Sequence, residues 1–383
     1  MPTLSSTPDD VRIERPSVTV LPGSAWPQVA PTWRRLAQGS ACSIFLTAEW
    51  IECWLQVFRN GVRAKILMVN DKHEPIGCSL TVRNRAGLIP VSRMWLNASG
   101  ESSKDTTYIE YNGVVARLGL EQTVAEAIAE HIAKERWDEL NLSGFPEDAI
   151  YETFRNGVRA EQLTETRHPA PYVDLAAIRK SGLSYANFHT GKNGKKLREN
   201  LRYYSAYGDF KVCVADDVAS ALEMLTELGA LSRKRWDKAA KRSIFCSTKF
   251  VEFHRLLIQK CFYLGWIQLI RVMAGEQVIG VVYNFVYRGK VLFYQCGYSY
   301  PEDKRLSPGR AALSLVIQHC LDAGHDDFDF LSGEVKYKEW LATGSRTMVW
   351  STLRRKGLRT RVLDALRRIK SMTAAPASER KIS

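Results

Sequence analysis

The sequence predicts an α/β protein of the α+β type, in which two similar units each contain a mixed sheet. Two patterns carry this prediction. A β-hairpin pattern occurs twice, and each occurrence is followed by a helix, a short strand and a Ser-Gly pair. The length of 383 residues agrees with it, since that is enough chain for two domains of ordinary size.

The two hairpins lie 203 residues apart. Residues 65–80 read KILMVNDKHEPIGCSL and residues 268–283 read QLIRVMAGEQVIGVVY. In both, an apolar strand runs into a polar turn, and an Ile-Gly pair opens the second strand. We interpret the likeness as an internal duplication.

A helix and a short strand follow each hairpin. They occupy residues 123–145 and residues 311–335, and the Ser-Gly pairs that end them lie 189 residues apart. The first copy therefore carries about fourteen extra residues between its hairpin and its helix. A helix that crosses over into a parallel strand places a ligand site at the carboxyl ends of the strands.

These patterns divide the chain into three parts. We predict a first unit over residues 1–166, a second unit over residues 167–352 that carries the active site, and a basic tail over residues 353–383. The linker is predicted in 167–175, RHPAPYVDL, because two prolines interrupt the periodicity there. Helix is expected again near Tyr185.

The basic tail holds most of the charge. Residues 353–383 contain ten Lys and Arg against two acids, which is +8 of the net charge of +13. Apolar residues recur at helical spacing in it, at Leu358, Val362, Leu366 and Ile369. A helix docked on the body, a helix on an anionic membrane or an acidic partner, and a nucleic-acid contact are all open; nucleic acid is the least favoured partner.

Several classes of protein are disfavoured by composition. With 45% apolar and 25% charged residues the chain is typical of a globular protein, and no window resembles a membrane span or a secretory signal. The eight cysteines form no CxxC pair, and the seven histidines have no metal-ligand spacing. We therefore expect a cytoplasmic enzyme without a metal site.

The second copy has a feature that the first copy lacks. Its crossover helix begins in KRLSPGRAAL, residues 304–313, where the first copy has ARLGLEQTVA. Ser307 and Pro308 end the loop, Gly309 allows close backbone approach, and the helix that starts at Arg310 and Ala311 directs free N–H groups outward. This arrangement suits a phosphate or pyrophosphate, although Ser-Pro-Gly also forms an ordinary helix start.

Together with FDFLSGEVKYKEW, residues 328–340, this loop resembles a known family. A Gly-Tyr pair (Gly297-Tyr298), Ser307-Pro308-Gly309, Asp329-Phe330, Gly333-Glu334 and Tyr337-Lys338-Glu339-Trp340 occur here in the order of the bacterial CelD-like acetyltransferases. That family lies in the GNAT superfamily and is akin to the tandem-GNAT Fem transferases. The resemblance extends to residues 195–212, 233–245 and 45–58. It implies two tandem GNAT-like acyltransferase units.

The resemblance also implies acetyl-CoA or a longer acyl-CoA as donor. Ser307, Gly309, Arg310 and Ala311 would then hold the pyrophosphate, with Lys336 or Lys338 at phosphates. Two positions depart from the family's pattern. Leu306 stands where an Arg or Gln is usual, and Ser299 stands where many relatives carry Asp.

Acyl transfer from a thioester to an amine needs a base, oxyanion donors and an acid. We assign the base to Glu334, the acid to Tyr298 or Tyr337, and the oxyanion donors to the backbone of residues 293–296. A solvated surface role for Glu334, and a core role for Tyr337 and Trp340, are the alternatives.

Basic residues crowd two helical stretches of the second half. One holds Lys192, Lys195, Lys196, Arg198 and Arg202, and the other surrounds Trp236. Arg198 and Arg202 lie four residues apart and could clamp an anionic acceptor, with Trp236 beside them. A nucleotide-sugar or an acyl carrier protein would fit such a surface, whereas a solvated helix face is the plain alternative.

Three functions are consistent with these observations. The first is acyl transfer from acyl-CoA to an amine or hydroxyl of a small-molecule or sugar-linked acceptor. The second is Fem-like transfer from an aminoacyl-tRNA, and the third is a non-catalytic scaffold of a polysaccharide-synthesis complex.

Overall fold

A computed structural model describes residues 16–58, 63–86, 91–98, 100, 105–333 and 336–357. Its strands are β1 (Ser17–Pro22), β2 (Arg63–Asp71), β3 (Glu74–Ala86), β4 (Val91–Leu96), β5 (Val115–Ala116), β6 (Glu139–Pro146), β7 (Gln162–Asp174), β8 (Phe210–Val214), β9 (Ile267–Ala274), β10 (Gln277–Tyr287), β11 (Lys290–Tyr298), β12 (Asp327–Asp329) and β13 (Gly344–Arg354). Its helices are α1 (Trp26–Gln38), α2 (Ala48–Phe58), α3 (Glu121–Lys134), α4 (Ala149–Gly157), α5 (Leu175–Ser181), α6 (Tyr185–Phe188), α7 (Gly191–Ser205), α8 (Val218–Lys238), α9 (Thr248–Cys261), α10 (Pro308–Asp322) and α11 (Lys336–Leu341). Both predicted hairpins and both crossover helices are confirmed.

The described strands form one mixed sheet. Its order is β1-β2-β3-β4-β6-β13-β7-β12-β11-β10-β9-β8, with β5 paired to β3. In each unit the strand after the crossover helix is parallel to an earlier strand, as predicted: β6 pairs with β4, and β12 pairs with β11. The fold class is therefore confirmed. The two units lie side by side in the sheet, and the strands of the second unit run across it in the reverse of their sequence order.

The last strand of each unit lies next to the other unit. β7 follows the first unit in sequence and pairs with β12, whereas β13 follows the second unit and pairs with β6. The two exchanged strands also pair with each other over eleven residues, from Gly344–Tyr172 to Arg354–Gln162. Continuous backbone hydrogen bonding therefore joins the two units.

The predicted linker was wrong, because residues 167–174 belong to β7. Strand β7 tolerates these two prolines because of the direction in which their backbone atoms point. The Pro171 carbonyl accepts from the Phe330 N–H, so the N and O of Pro171, and of Pro169 two residues earlier, point away from β13. Neither proline removes a hydrogen bond from the β7–β13 pairing. The predicted boundary after residue 166 therefore falls inside a strand.

One hydrophobic core spans the two units. Helices α1 and α2 of the first unit pack with α8 and α9 of the second on one face of the sheet. Trp50 lies at this junction, with its ring 4.8 Å from that of Phe253 and 5.7 Å from that of Phe285. The crossover helices cover the opposite face, α3 over the first unit and α10 over the second.

Replacing Trp50 should therefore destabilise both units together. We expect Trp50→Ala to lower the free energy of unfolding by roughly 3–5 kcal/mol, because a fully buried aromatic side chain leaves a cavity. Urea denaturation would measure the change, and hydrogen exchange should show protection lost equally in β3 and β10. Trp236→Ala, at a residue that is 41% exposed, is the control. Loss of protection in β3 alone would contradict a shared core.

Candidate active site

The strands β11 and β12 separate after three paired residues. The parallel pairing runs from Lys290–Asp327 to Leu292–Asp329, where β12 ends while β11 continues to Tyr298. A bulge opposite Tyr283 and Asn284 adds one residue to β11 at this point. The backbone edge of residues 293–296, our predicted oxyanion donors, therefore faces a gap in the sheet.

The gap opens into a cavity of about 750 Å³ that both units line. The second unit contributes part of β11 and residues 330–333. The first unit contributes Trp95 of β4, Ser143 of β6 and the loop 106–110, and the exchanged strands add His168 and Trp350. The cavity thus exists only because the two units share a sheet.

Glu110 is the carboxylate from the first unit that lines this cavity, and we did not predict it. It is 7% exposed, and its two oxygens accept from the backbone N–H and the hydroxyl of Ser332, each at 2.7 Å. Burial raises its pKa to about 7, against the lowering effect of the two Ser332 hydrogen bonds. Glu110 therefore lies beside the gap with a pKa suited to proton transfer near neutral pH.

No sequence pattern connects Glu110 with the second unit. It lies in TTYIEYNG, residues 106–113, within the extra residues of the first copy, and its partner Ser332 is 222 residues away. The signal that the sequence offered for Glu110 was an acidic residue placed between two apolar residues. Contacts over that separation depend on the exchanged strands.

A second buried carboxylate, Asp329, anchors the end of β12. It accepts hydrogen bonds from the Tyr111 hydroxyl, from the Leu331 N–H at 2.7 Å and from Arg346 of β13 at 2.8 Å. Burial raises its pKa to about 6. Arg346 also contacts Asp327 at 2.5 Å, so one guanidinium joins β13 to β12.

Lys338 does not lie where a phosphate could reach it freely, contrary to our prediction. Its ammonium donates to the carbonyls of Phe330, Leu331 and Ser332 at 2.8, 3.4 and 3.2 Å, and burial lowers its pKa. These three bonds use all of its donors. Lys338 therefore fixes the loop after β12 instead of binding a cofactor. The side chain of Lys336 lies outside the described residues.

Tyr298 and Tyr337, the predicted acids, come together near the gap. Tyr298 is buried at the end of β11, and its burial and the neighbouring Cys296 and Tyr337 raise its pKa. Burial raises the pKa of Tyr337 as well. The polar group beside the Tyr298 hydroxyl is the Cys296 thiol, a weak hydrogen-bond partner, so this hydroxyl keeps its capacity to donate to a ligand.

The predicted phosphate cradle is a helix start, as expected. Ser307 precedes α10 and makes no side-chain cap, and Pro308 is its first residue. The N–H of Ala311 already donates to Ser307, which leaves those of Gly309 and Arg310 as the first-turn donors without an intrahelical acceptor. A Cβ on Gly309 would lie 3.1 Å from the Tyr298 ring, so this glycine makes room for that ring. The guanidinium of Arg310 lies 5.5 Å from the Trp340 ring.

The predicted anion clamp is not formed. Arg198 donates to the carbonyls of Ala186 and His189 at 2.8 and 3.1 Å, so it closes the end of α6. Arg202 lies over the Tyr203 ring at 5.6 Å, and Trp236 contacts Lys241. Helices α7 and α8 pack on opposite faces of the sheet, which keeps Trp236 away from both arginines. Glu334 and residues 358–383 lie outside the described residues.

The corresponding gap of the first unit is filled by its own chain. There β4 and β6 pair over three residues from Arg93–Glu139, and Asn112 then bridges them. Its amide donates to the carbonyls of Leu96 and Ser143 at 2.9 and 3.0 Å, and its N–H donates to Gly144 at 2.9 Å. Asn112 belongs to the extra residues of the first copy. The two copies thus differ in whether the gap is open.

The comparison with known families concerns the second half of the chain. Residues 191–339 match the model of the acetyltransferase (GNAT) domain. This part of the chain is therefore similar to a GNAT acetyltransferase domain. The open gap between β11 and β12 lies inside it. No curated protein is similar to the chain at a significant level.

Solved structures extend the similarity of fold over most of the chain. FemX covers 88% of this chain and 98% of its own, with 10% identity and a TM-score of 0.57. The C-terminal domain of a putative lysylphosphatidylglycerol synthetase from Agrobacterium fabrum covers 89% and 96%, with 8% identity and a TM-score of 0.53. At these identities the likeness concerns the fold. It confirms the predicted fold class over most of the chain.

Two searches covered the part of the chain that the structure describes. No group of three or more His, Cys, Asp or Glu is placed to hold a metal ion. None of the described helices is both long enough and apolar enough to cross a membrane.

The raised pKa of Glu110 makes a prediction for stability. The folded carboxyl keeps its proton up to about pH 7, whereas the ordinary value is 4.5, so its contribution to stability falls as pH rises between the two. We therefore compare the free energy of unfolding of Glu110→Gln with that of wild type at two pH values. We expect this difference to favour the variant by roughly 1–3 kcal/mol more at pH 8 than at pH 4.

Urea denaturation at both pH values would measure this. Asp329 and Lys338 face Glu110 and remain in the variant, so their titration is common to both proteins. Glu276→Gln, at a side chain that is 91% exposed, is the control. An equal difference between Glu110→Gln and wild type at the two pH values would show that Glu110 is not perturbed.

Proposed function

We propose that this protein transfers an acyl group from acyl-CoA to an amine at the gap between β11 and β12. The observation that supports it is the open gap itself. A parallel pair that separates beside a helix N-terminus offers a thioester both a channel and a phosphate site, and the channel ends in the shared cavity.

The donor would enter between the strands with its pyrophosphate at the start of α10. The N–H groups of Gly309 and Arg310 and the positive end of the helix dipole favour an anion there. The acyl carbonyl would then lie at residues 293–296, where backbone N–H groups can stabilise the oxyanion of the tetrahedral intermediate.

The described side chains supply the proton transfers. Glu110 takes a proton from the attacking amine, and the N–C bond forms as the carbonyl becomes an oxyanion. When the C–S bond breaks, the leaving thiolate takes a proton from the Tyr298 hydroxyl, which burial keeps protonated until that step. Glu110 thus takes the place of our sequence-based base, Glu334, in this proposal.

Titration with CoA tests the donor site. We expect Ser307→Glu to weaken CoA binding at least about tenfold, because it adds a negative charge where the pyrophosphate would bind. The change should leave the fold intact, since Ser307 makes no cap hydrogen bond and a carboxylate suits a helix N-terminus. Ser184→Glu is the matched control, because Ser184 also precedes a helix without capping it. Equal CoA affinity in the two variants would refute the cradle.

The filled gap of the first unit predicts the number of donor sites. Calorimetry should give one CoA per chain, because Asn112 occupies the position between β4 and β6 that a second donor would need. A stoichiometry of two would contradict this assignment.

One observation favours a second donor class, an aminoacyl-tRNA. Cationic and aromatic side chains pair at the loop between β11 and α10: Arg235 lies 4.6 Å from the Tyr300 ring, and Arg305 lies 5.1 Å from that of Tyr203. If calorimetric titration with CoA gives no heat, tRNA would be titrated instead. A tRNA affinity that falls steeply as the salt concentration rises would support this donor.

A further inference from the structure

The part of the cavity that belongs to the first unit and the exchanged strands is distinct from the donor gap. It is lined by Trp95, the loop 106–110, Ser143, His168 and Trp350. Nothing in the proposed donor chemistry uses these side chains except Glu110. They are therefore available to bind the acceptor.

The charge of this region disfavours an anionic acceptor. Lys338 is the only lysine or arginine among the described residues that line the cavity, and its donors are already used by three carbonyls. Glu110 adds a carboxylate. A phosphate or carboxylate on the acceptor would therefore meet no free guanidinium or ammonium from these residues, whereas an amine would meet Glu110.

Aromatic rings and hydroxyl groups are combined on the same walls. Trp95 and Trp350 are half-buried, and the His168 ring lies 5.3 Å from that of Trp350. Thr106, Thr107 and Ser143 place hydroxyls among these rings. Flat rings pack well on the C–H face of a sugar, whose edge carries hydroxyls that need partners.

Thr107 distinguishes a sugar from an apolar ring. It is 1% exposed, it lines the cavity, and its hydroxyl has no hydrogen-bond partner within the described structure. Its backbone is fixed, because its carbonyl accepts from the Tyr294 hydroxyl at 2.8 Å. A buried hydroxyl without a partner costs free energy, and an acceptor that carries a hydroxyl would remove this cost.

We propose that the first unit forms the acceptor subsite and that its occupant is an uncharged sugar ring carrying a primary amine. The ring packs on Trp95 and Trp350, a ring hydroxyl bonds Thr107, and the amine meets Glu110. This inference rests on the proposed acyl transfer, which uses the same cavity.

Four small probes separate the alternatives: D-glucosamine, D-glucose, D-glucuronate and phenethylamine. Their dissociation constants would be measured by ligand-observed NMR in the presence of CoA. We expect D-glucosamine to bind more tightly than each of the others. Tighter binding of D-glucuronate would point to an anionic acceptor, and tighter binding of phenethylamine would point to an apolar ring. Either result would overturn the proposal.

Two matched variants test the role of Thr107. Thr107→Val should weaken the binding of D-glucosamine about three- to tenfold, which is the effect of one hydrogen bond, and should leave the affinity for phenethylamine unchanged. The fold should be retained, because the lost hydroxyl has no partner in the protein. Thr81→Val, at a buried strand residue that does not line the cavity, is the control. Unchanged D-glucosamine affinity in Thr107→Val would refute the subsite.

The CoA titration on the same samples keeps the two proposals separate. If CoA binds but D-glucosamine shows no preference, the sugar subsite is wrong and the donor site stands. If D-glucosamine binds as expected and CoA does not, the subsite stands and the donor is of another class.

Discussion

The exchange of β7 and β13 is the constraint on which the rest of the structure depends. Each strand completes the sheet of the unit to which it does not belong in sequence, and their mutual pairing is the longest contact between the units. It brings Arg346 to Asp327 and Asp329, and it carries His168 and Trp350 to the cavity. Without the exchange, the second unit would have an open gap but no acceptor wall.

Two copies of one fold have diverged at the same structural position. A parallel strand pair that separates after three residues leaves backbone N–H and C=O groups that must find partners. In the first unit the inserted loop supplies Asn112, whose amide donates to a carbonyl at the end of each strand. In the second unit they remain turned toward the cavity, where a ligand can bind them. The same loop that fills one gap also presents Glu110 to the other.

The electrostatics of the site follow from burial. Glu110 and Asp329 are nearly inaccessible, and desolvation raises the pKa of both although Glu110 accepts two hydrogen bonds and Asp329 three. Lys338 is buried close by, and its bonds to three carbonyls hold the loop after β12. Buried groups with opposed pKa shifts beside a cavity are typical of catalytic sites and not of a solvated surface.

The sequence by itself determined the local elements and their repetition. Alternation gave both hairpins, the Ser-Pro-Gly turn placed the start of α10, and the two crossovers followed from the order of elements. These features depend on neighbouring residues, which is why a linear pattern reveals them. The sequence also directed attention to the second copy, where the GNAT match lies.

Only the tertiary structure decided which side chains meet. Glu110 and Ser332 are 222 residues apart, and the strand exchange that joins them has no local signal. The same holds for Arg198 and Lys338, whose charges suggested ligand binding but whose donors are taken by backbone carbonyls. Whether a basic residue is free for a ligand depends on which carbonyls the fold brings within hydrogen-bond distance, and that is settled by packing between distant segments.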